Sequence, residues 1–589
     1  MDVSDKSFVQ YYLQELSSLE DECAEFAESY PQIAGNLGMG SEGTADPHVR
    51  QLIESVAFIA ARLKRQIDVV PGELAHNLLH TIAPHLIAPV PSMSVARFFP
   101  LSDQLDAVAS VPTGALRLRA KSEAGDCLFT GCMADMALWP LEVVEAGRAA
   151  VLSGFTPRSA LPDDCEEFVL KIAHRRKRMA QNAPGELTFF ISGAMNRALA
   201  AVEALTLGLV DVSMVALDGS WRVPVGRDRI ETLGFDASHR LLPSKHAVAH
   251  GGSLALEFLN FPRRFCFVKV SGLNCPAPSS GFYLSFIVKR SRLAMLEAVR
   301  EHIHLNCVPV INAFVRPPIA LRLKDLQAEY ALSRADAGQG KWDVLGINRV
   351  QLVERGERHE VPEFHSGVGD FSQQAGGVFW QGIRRERISS NMAHASMALR
   401  FVGLNSLDSQ GRSVDTAMVE ALCTNCEAPE SLQASQPLEV IGWDCGYRAK
   451  LEFVPTPYAG ALLPTSAATG DLLRLLQSRF GRADNLMADV RRHLALHDRT
   501  HSAYAASAVS SLRSIRREVV AMPMAGAPLG AMLGMGCRYS LAFRKGDELS
   551  GSRYLFSRLI REVLLQLHDG SLPLEVQVEG ANGEVFHVR

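Results

Sequence analysis

The chain has 589 residues, 47% of them apolar and 21% charged, and 60 Lys and Arg against 64 Asp and Glu give a formal charge of −4. These proportions match globular averages and exclude wholesale disorder, and the balanced charge argues against a generally basic nucleic-acid binder. At roughly 150 residues per domain the length allows about four domains, with enough core to need neither disulfides nor a structural metal.

The N-terminus, MDVSDKS, is acidic and no apolar signal core follows it, so no Sec signal is expected. Residues 5–30 read as an amphipathic helix in which Phe8, Tyr12, Leu16, Leu19, Cys23, Phe26 and Tyr30 recur at steps of three and four. Pro31 ends it and the glycine-rich stretch 35–43 follows as a loop. Asp46-Pro47 supplies an N-cap and a first-turn proline for a second helix, with Val49, Leu52, Val56, Ile59, Leu63, Ile67 and Val70 on one face. Pro71 is expected to start a third, carrying Leu74, Leu78 and Ile82, and the prolines 84, 89 and 91 mark a boundary.

Beyond Met93 the pattern is of strands: SVARFF, GALRLRA, CLFTG, ADMALWPLEVV, ELTFFIS, SLALEF, FCFVKVSGL, FYLSFIV, CVPVINAF and IALRL. Helices are predicted over 196–207, 293–302, 471–480, 485–496 and 553–567, and residues 454–470 read as loop. The uncharged stretch Val519–Cys537 contains two prolines and four glycines, which favours a surface loop leading into a strand over a membrane span. The class is therefore α+β and multidomain. We divide it into an N-terminal helical module (1–92), a β-rich mixed domain (93–280), a second mixed α+β domain (281–453) and a C-terminal α+β domain (454–589).

Several clusters invite a chemical reading. Cys423-Thr-Asn-Cys426 is a lone CxxC, and a zinc site needs a second pair that the spacing of Cys445 does not complete. His302, His304 and Cys307 have no carboxylate or further histidine at ligand spacing. His493, His497 and His501 lie four apart, near one face of a helix, but Leu494 stands where HExxH proteases carry their general base. Nucleophile elbow, phosphate loop and dinucleotide fingerprint are all missing from the sequence. The basic run His174–Arg178 follows the acidic 163–167 and suits a solvated loop or a protein contact. The eleven cysteines are scattered and odd in number, the pattern of reduced thiols in a cytoplasmic protein. No catalytic residue, metal ligand or cofactor is assigned.

The first ninety residues resemble one family closely. YYLQELSSL (11–19), EFAESYPQIA (25–34), DPHV (46–49), FIAAR (58–62) and PHLIAPVPSM (84–93) are similar to the N-terminal blocks of TssF, a family of type VI secretion baseplate proteins. CLFTG with WPLEV, EFLNFPRRFCF, LNCVPVINAF, CTNCEAP and LSGSRYLFSRLIREVL resemble its later blocks, in order, over nearly the full chain. The sequence departs from the family pattern at Cys426, where an arginine is usual, and at His497, where an aromatic is usual. It departs also at Gly251-Gly252 and at 570–573.

The resemblance implies a structural wedge subunit and no enzyme. Two copies would bind one TssG, joined by TssK and TssE around the VgrG spike hub, supporting tube and sheath. The complex would lie at the cytoplasmic face of the inner membrane, reaching the membrane complex through other subunits. Phe8, Tyr12, Leu16, Val56, Ile59 and Leu63 are the residues expected to bind a partner, the alternative being that these stripes pack within the chain. Two other readings stay open: a wedge of another phage-tail-like contractile particle, and a metal-dependent hydrolase using His493, His497 and His501.

Overall fold

A computed structural model gives the architecture. The described residues exclude 1–7, 38, 41–42, 45–46, 102–107, 112–115, 124, 132–135, 175–183, 243–249, 277–279, 324–328, 333–340, 355, 365–377, 390–391, 404–413, 444–445, 463–469, 473–485, 524–532, 545–551, 568–572, 580–584 and 589. The fold is α+β and multidomain, with a helical arm leading into a β-rich body.

In the arm, α1 (Phe8–Ser29) is followed by the short α2 (Pro31–Asn36), whose first residue is the proline that stops α1. Proline suits that position because its missing amide would be unpaired there anyway. A two-residue ladder pairs Met39–Gly40 with Gly43–Thr44 within the expected loop. Then α3 (Pro47–Ile82) runs unbroken for 36 residues, so the third helix expected from Pro71 does not exist as a separate element. One proline removes a single rung of the ladder, at about 3 kcal/mol, and a helix of this length has turns on both sides to hold it. A one-turn α4 (Pro84–Ile87) joins the arm to the body.

The body begins with a closed six-stranded barrel. Its strands are, in order, Cys307–Ile311, Met93–Pro100, Tyr447–Leu451, Pro437–Ile441, Arg117–Ser122 and Gly125–Gly131. Alternation sends Leu118 and Ala120 inward while Arg117 and Lys121 face water. A five-stranded sheet (222–224, 209–216, 281–289, 165–174, 141–148) and a four-stranded sheet (230–232, 267–271, 186–191, 303–304) follow. These sheets share one core with α5 (Met195–Leu207), α6 (His250–Asn260) and α7 (Arg290–Glu297). The barrel thus takes strands from both sides of residue 280, and the division there remains a working one.

Residues 314–424 build a module with its own core. One sheet (314–315, 414–424, 343–354, 357–361, with 319–322) covers a three-stranded one (330–331, 392–402, 379–389) through Leu323, Leu332, Val344, Val350, Leu399 and Val419. The C-terminal third carries α8 (Leu486–His497), α9 (Ala503–Ser511) and α10 (Arg553–Leu567). There a long hairpin, Leu512–Pro523 with Leu533–Phe543, is extended in parallel by Leu574–Glu579 and then by Val585–Val588. A parallel neighbour requires a crossover, which α10 supplies.

Two local expectations change and a third falls largely outside the described residues. SLALEF is helical, lying inside α6, because Leu254, Ala255, Leu256, Phe258 and Leu259 are buried all round and Glu257 is held in the core. The uncharged stretch 519–537 is in its described parts hairpin rather than loop. Of the helix expected over 471–480, residues 473–480 lie outside the described residues, as do Arg175–Arg178.

Candidate partner-binding surface

The arm is a helical pair with unequal faces. Inward, α3 presents Ile53, Ala57 and Ala61, and α1 presents Tyr11 and Ala27, all buried. Small alanines let the two backbones approach, and the Lys64–Glu15 ion pair at 2.5 Å closes the seam. The stripe expected from the spacing lies elsewhere. Leu52, Val56, Ile59 and Leu63 are 66%, 45%, 59% and 54% exposed, whereas Ala57 and Ala61 are fully covered. At 100° per residue those four side chains centre about 130° around α3 from the buried set. A face of four large aliphatic side chains is thus left to water, with Phe58 also exposed. On α1, Tyr12 and Leu16 are half-buried, Val9 and Leu13 are exposed, and Phe8 opens the helix with its side chain outside the described set.

The clusters suggested as chemical sites separate in space. His493 and His497 stack on α8 with ring centroids 4.3 Å apart, but His501 lies beyond the helix end at φ 50°. The three therefore do not share one helical face. His302 closes a short 3-10 turn and His304 sits on the next strand, where burial, Arg97 and His302 hold its pKa down to about 3. Cys423 and Cys426 are both buried free thiols, pushed up to about 12 chiefly by burial. Thiols held protonated in this way are poor ligands and nucleophiles. Among the described residues, no three His, Cys, Asp or Glu side chains are arranged to hold a metal ion. No described helix is long and apolar enough to cross a membrane.

The family model described as type VI secretion system, TssF, matches residues 4–568. The chain belongs to the TssF family. A curated relative, the type VI secretion system component TssF1 of Pseudomonas aeruginosa, is 31% identical over 343 residues, which is 55% of this chain and 54% of that protein. The aligned part thus spans about half the length of that relative. The fold is similar to a chain of the type VI secretion system TssK-TssF-TssG baseplate subcomplex, with TM-score 0.73 at 18% identity, covering 92% of this chain and 98% of that one. It is also similar to a chain of the type VI secretion system baseplate complex, with TM-score 0.61 at 19% identity, covering 99% and 98%.

The TssF-like sequence blocks turn out to be buried polar joints between distant segments. Asn312, from LNCVPVINAF, donates through Nδ2 to Leu128 O (2.7 Å) and to Asn425 Oδ1 (2.9 Å). Its Oδ1 accepts from Thr424 Oγ1 and from the Asn425 amide, both at 2.7 Å. CTNC is thereby sewn to the barrel through its central Thr and Asn, while Cys423 Sγ reaches only the nearby Ala421 O at 3.8 Å and Cys426 lies beside Tyr458. Asn306 holds WPLEV in the same manner, accepting from Trp139 N at 2.8 Å and donating to Trp139 O at 2.7 Å. Glu203 receives Ser552 Oγ (2.8 Å) and Tyr554 N (3.0 Å) from LSGSRYLF, and Arg292 neutralises it at 2.7 Å. In EFLNFPRRF, the Glu257 carboxylate accepts the amides of Leu241 (3.1 Å) and Leu242 (2.9 Å) and is ion-paired with Arg264. The sequence reading missed these roles. The available signal was an asparagine or glutamate inside an apolar run, which is tolerated only where partners are waiting.

Proposed function

We propose that this chain is a structural wedge component of a type VI secretion baseplate and works as a scaffold without catalysis. Its assembly with TssG and TssK would run through the outer face of the arm. The observation that carries the reading is the aliphatic face of Leu52, Val56, Ile59 and Leu63, which no part of the described chain covers. Burying each such side chain contributes about 1.5–3 kcal/mol, so a protein that leaves four together in water gains substantially from a partner helix. Family membership and the two baseplate structures of similar fold favour that partner class. Two copies of this chain per TssG, contacts to TssE, the VgrG hub and the sheath, and residence at the cytoplasmic face of the inner membrane belong to the same proposal.

The test is co-purification with TssG and TssK after the double change Ile59→Glu and Leu63→Glu. Both sites are exposed, so the chain should fold with an unchanged circular-dichroism spectrum while complex recovery falls at least tenfold. Normal recovery of the complex would overturn the arm-face reading. A wedge of another contractile particle is the second reading, and recovery of a complex with the cognate TssG decides against it.

A further inference from the structure

The arm meets the body at a joint with its own small core: Leu79, Ala83, Leu86 and Ile87 pack on Leu472, with Leu462 and Leu496 at its edge, apart from the main core. Backbone bonds run from Leu462 N to Ile87 O (3.0 Å) and from Val90 N to Ala459 O (2.8 Å). Arg499, at the end of α8, donates to Leu86 O (2.8 Å) and to Gly460 O (2.5 Å). Asn260, the last residue of α6, fixes the same corner by donating to His497 O (2.8 Å) and accepting the amides of Arg499 and Thr500 (both 2.9 Å).

Three histidines meet in this joint: His493 and His497 are buried, and His85 is half-buried with both ring nitrogens shielded from water. His85 comes from α4 on the arm side; His493 and His497 come from α8 on the body side. Within the described residues, neither ring nitrogen of His85, nor Nε2 of His493 or His497, has a hydrogen-bond partner. Among the described residues the only ring bond is between His497 Nδ1 and His493 O at 2.6 Å. The charges facing them are of the wrong sign for protonation: Arg240 acts on His85, Arg499 on His497, and the histidines on one another. His80, Arg384 and Glu363 line the cavity of about 320 Å³ that His85 borders, and Arg384 is itself buried beside Asp343 at 3.8 Å. Asp498, next in the chain, is half-buried, accepts the Ser502 amide at 3.3 Å and is raised by its burial.

We propose that this joint is an acid-released latch: it stays closed only while His85, His493 and His497 are uncharged, and protonation frees the helical arm from the body. Burial holds His85 near 3 and His497 near 4 in the closed state, with His493 also well below its ordinary value. Once exposed, each titrates at about 6.5, so the closed state is favoured above that pH and loses ground as pH falls below it. Between pH 7.5 and 5.5 each histidine multiplies the opening constant about tenfold, and three together about a thousandfold. The inference concerns the joint alone and does not depend on which partner the arm binds.

Hydrogen exchange of the full-length chain, corrected for the intrinsic pH dependence of exchange, tests it. Peptides covering 83–92 and 486–500 should lose at least a hundredfold protection from pH 7.5 to 5.5, while the central strand Gly281–Lys289 keeps its protection. The His493→Leu, His497→Phe double variant should retain only about a tenfold response, and His85→Leu about a hundredfold one. The latch is overturned if the joint peptides do not respond in the wild type, if all peptides lose protection together, or if every folded variant responds like the wild type. Should a variant fail to fold, the wild-type comparison of joint with central strand decides alone.

Discussion

Asn312 is fully buried in an apolar barrel wall and spends its whole side chain on four bonds that join residues more than a hundred positions apart. A leucine of similar size would fill the space but strand Thr424 Oγ1, the Asn425 amide and the Leu128 carbonyl. A buried polar group left unpaired costs about 1–3 kcal/mol. Asn312→Leu should therefore destabilise the chain by about 3–5 kcal/mol, read as a lowered midpoint in urea, with loss of contact between barrel and 314–424 module. Cys426→Ser, by contrast, alters a buried thiol beside Tyr458 and leaves the Asn312 bonds intact; it should leave metal content unchanged and stability within about 1 kcal/mol of the wild type. The CxxC pattern drew attention to the two outer residues of the tetrapeptide, whereas the inner two do the joining. Spacing rules cannot register that difference, because it depends on where Asn312 ends up.

The arm helices show what periodicity can and cannot decide. Leu52, Val56, Ile59 and Leu63 do form one face, as their spacing predicts, yet Ile53, Ala57 and Ala61 form another, and the chain covers the second. Alanine scores weakly in any hydrophobic pattern, but it permits close helix approach, so a face of small residues outcompeted one of large residues for the intramolecular contact. Ala57→Leu should force α1 and α3 apart at a cost of about 1–3 kcal/mol. Limited proteolysis would then cut within 29–47 faster than in the wild type, whereas Ile59→Glu should not change cleavage there. In α6 the error ran the other way. A short run of alternating apolar residues reads as a strand, and only burial on every side, with Glu257 satisfied inside the core, makes it a helix. In α3, Pro71 reads as a boundary because local rules weigh one proline against one turn rather than against the whole 36-residue helix.

At the scale of the whole molecule the class and the chain order of most elements follow from pattern: the helices 195–207, 486–497 and 553–567 lie within a residue or two of their expected limits. The pairing of strands does not follow. Nothing local tells Met93–Pro100 that its two neighbours are Cys307–Ile311 and Tyr447–Leu451, because register is settled by which apolar faces meet after collapse. A chain ending at residue 436 should therefore leave the barrel open, with the edges of Met93–Pro100 and Arg117–Ser122 unpaired. We expect it to be recovered as aggregate, and a soluble monomer with native strand protection would contradict the closed-barrel account.

That closure also sets a schedule for biosynthesis. Ala96 has to wait for Leu451 before its strand is flanked on both sides. At about 5–20 residues per second of translation, the interval is about 20–70 s, during which an apolar strand stands outside the ribosome without one of its neighbours. The seam between α1 and α3, made from contacts between residues 11 and 64, can be complete long before then. A newborn chain would thus display its partner-seeking helices while its body is still unfinished. Holding factors that recognise exposed strands, and the order in which partner subunits are synthesised, would then govern how much of the protein reaches its assembled form.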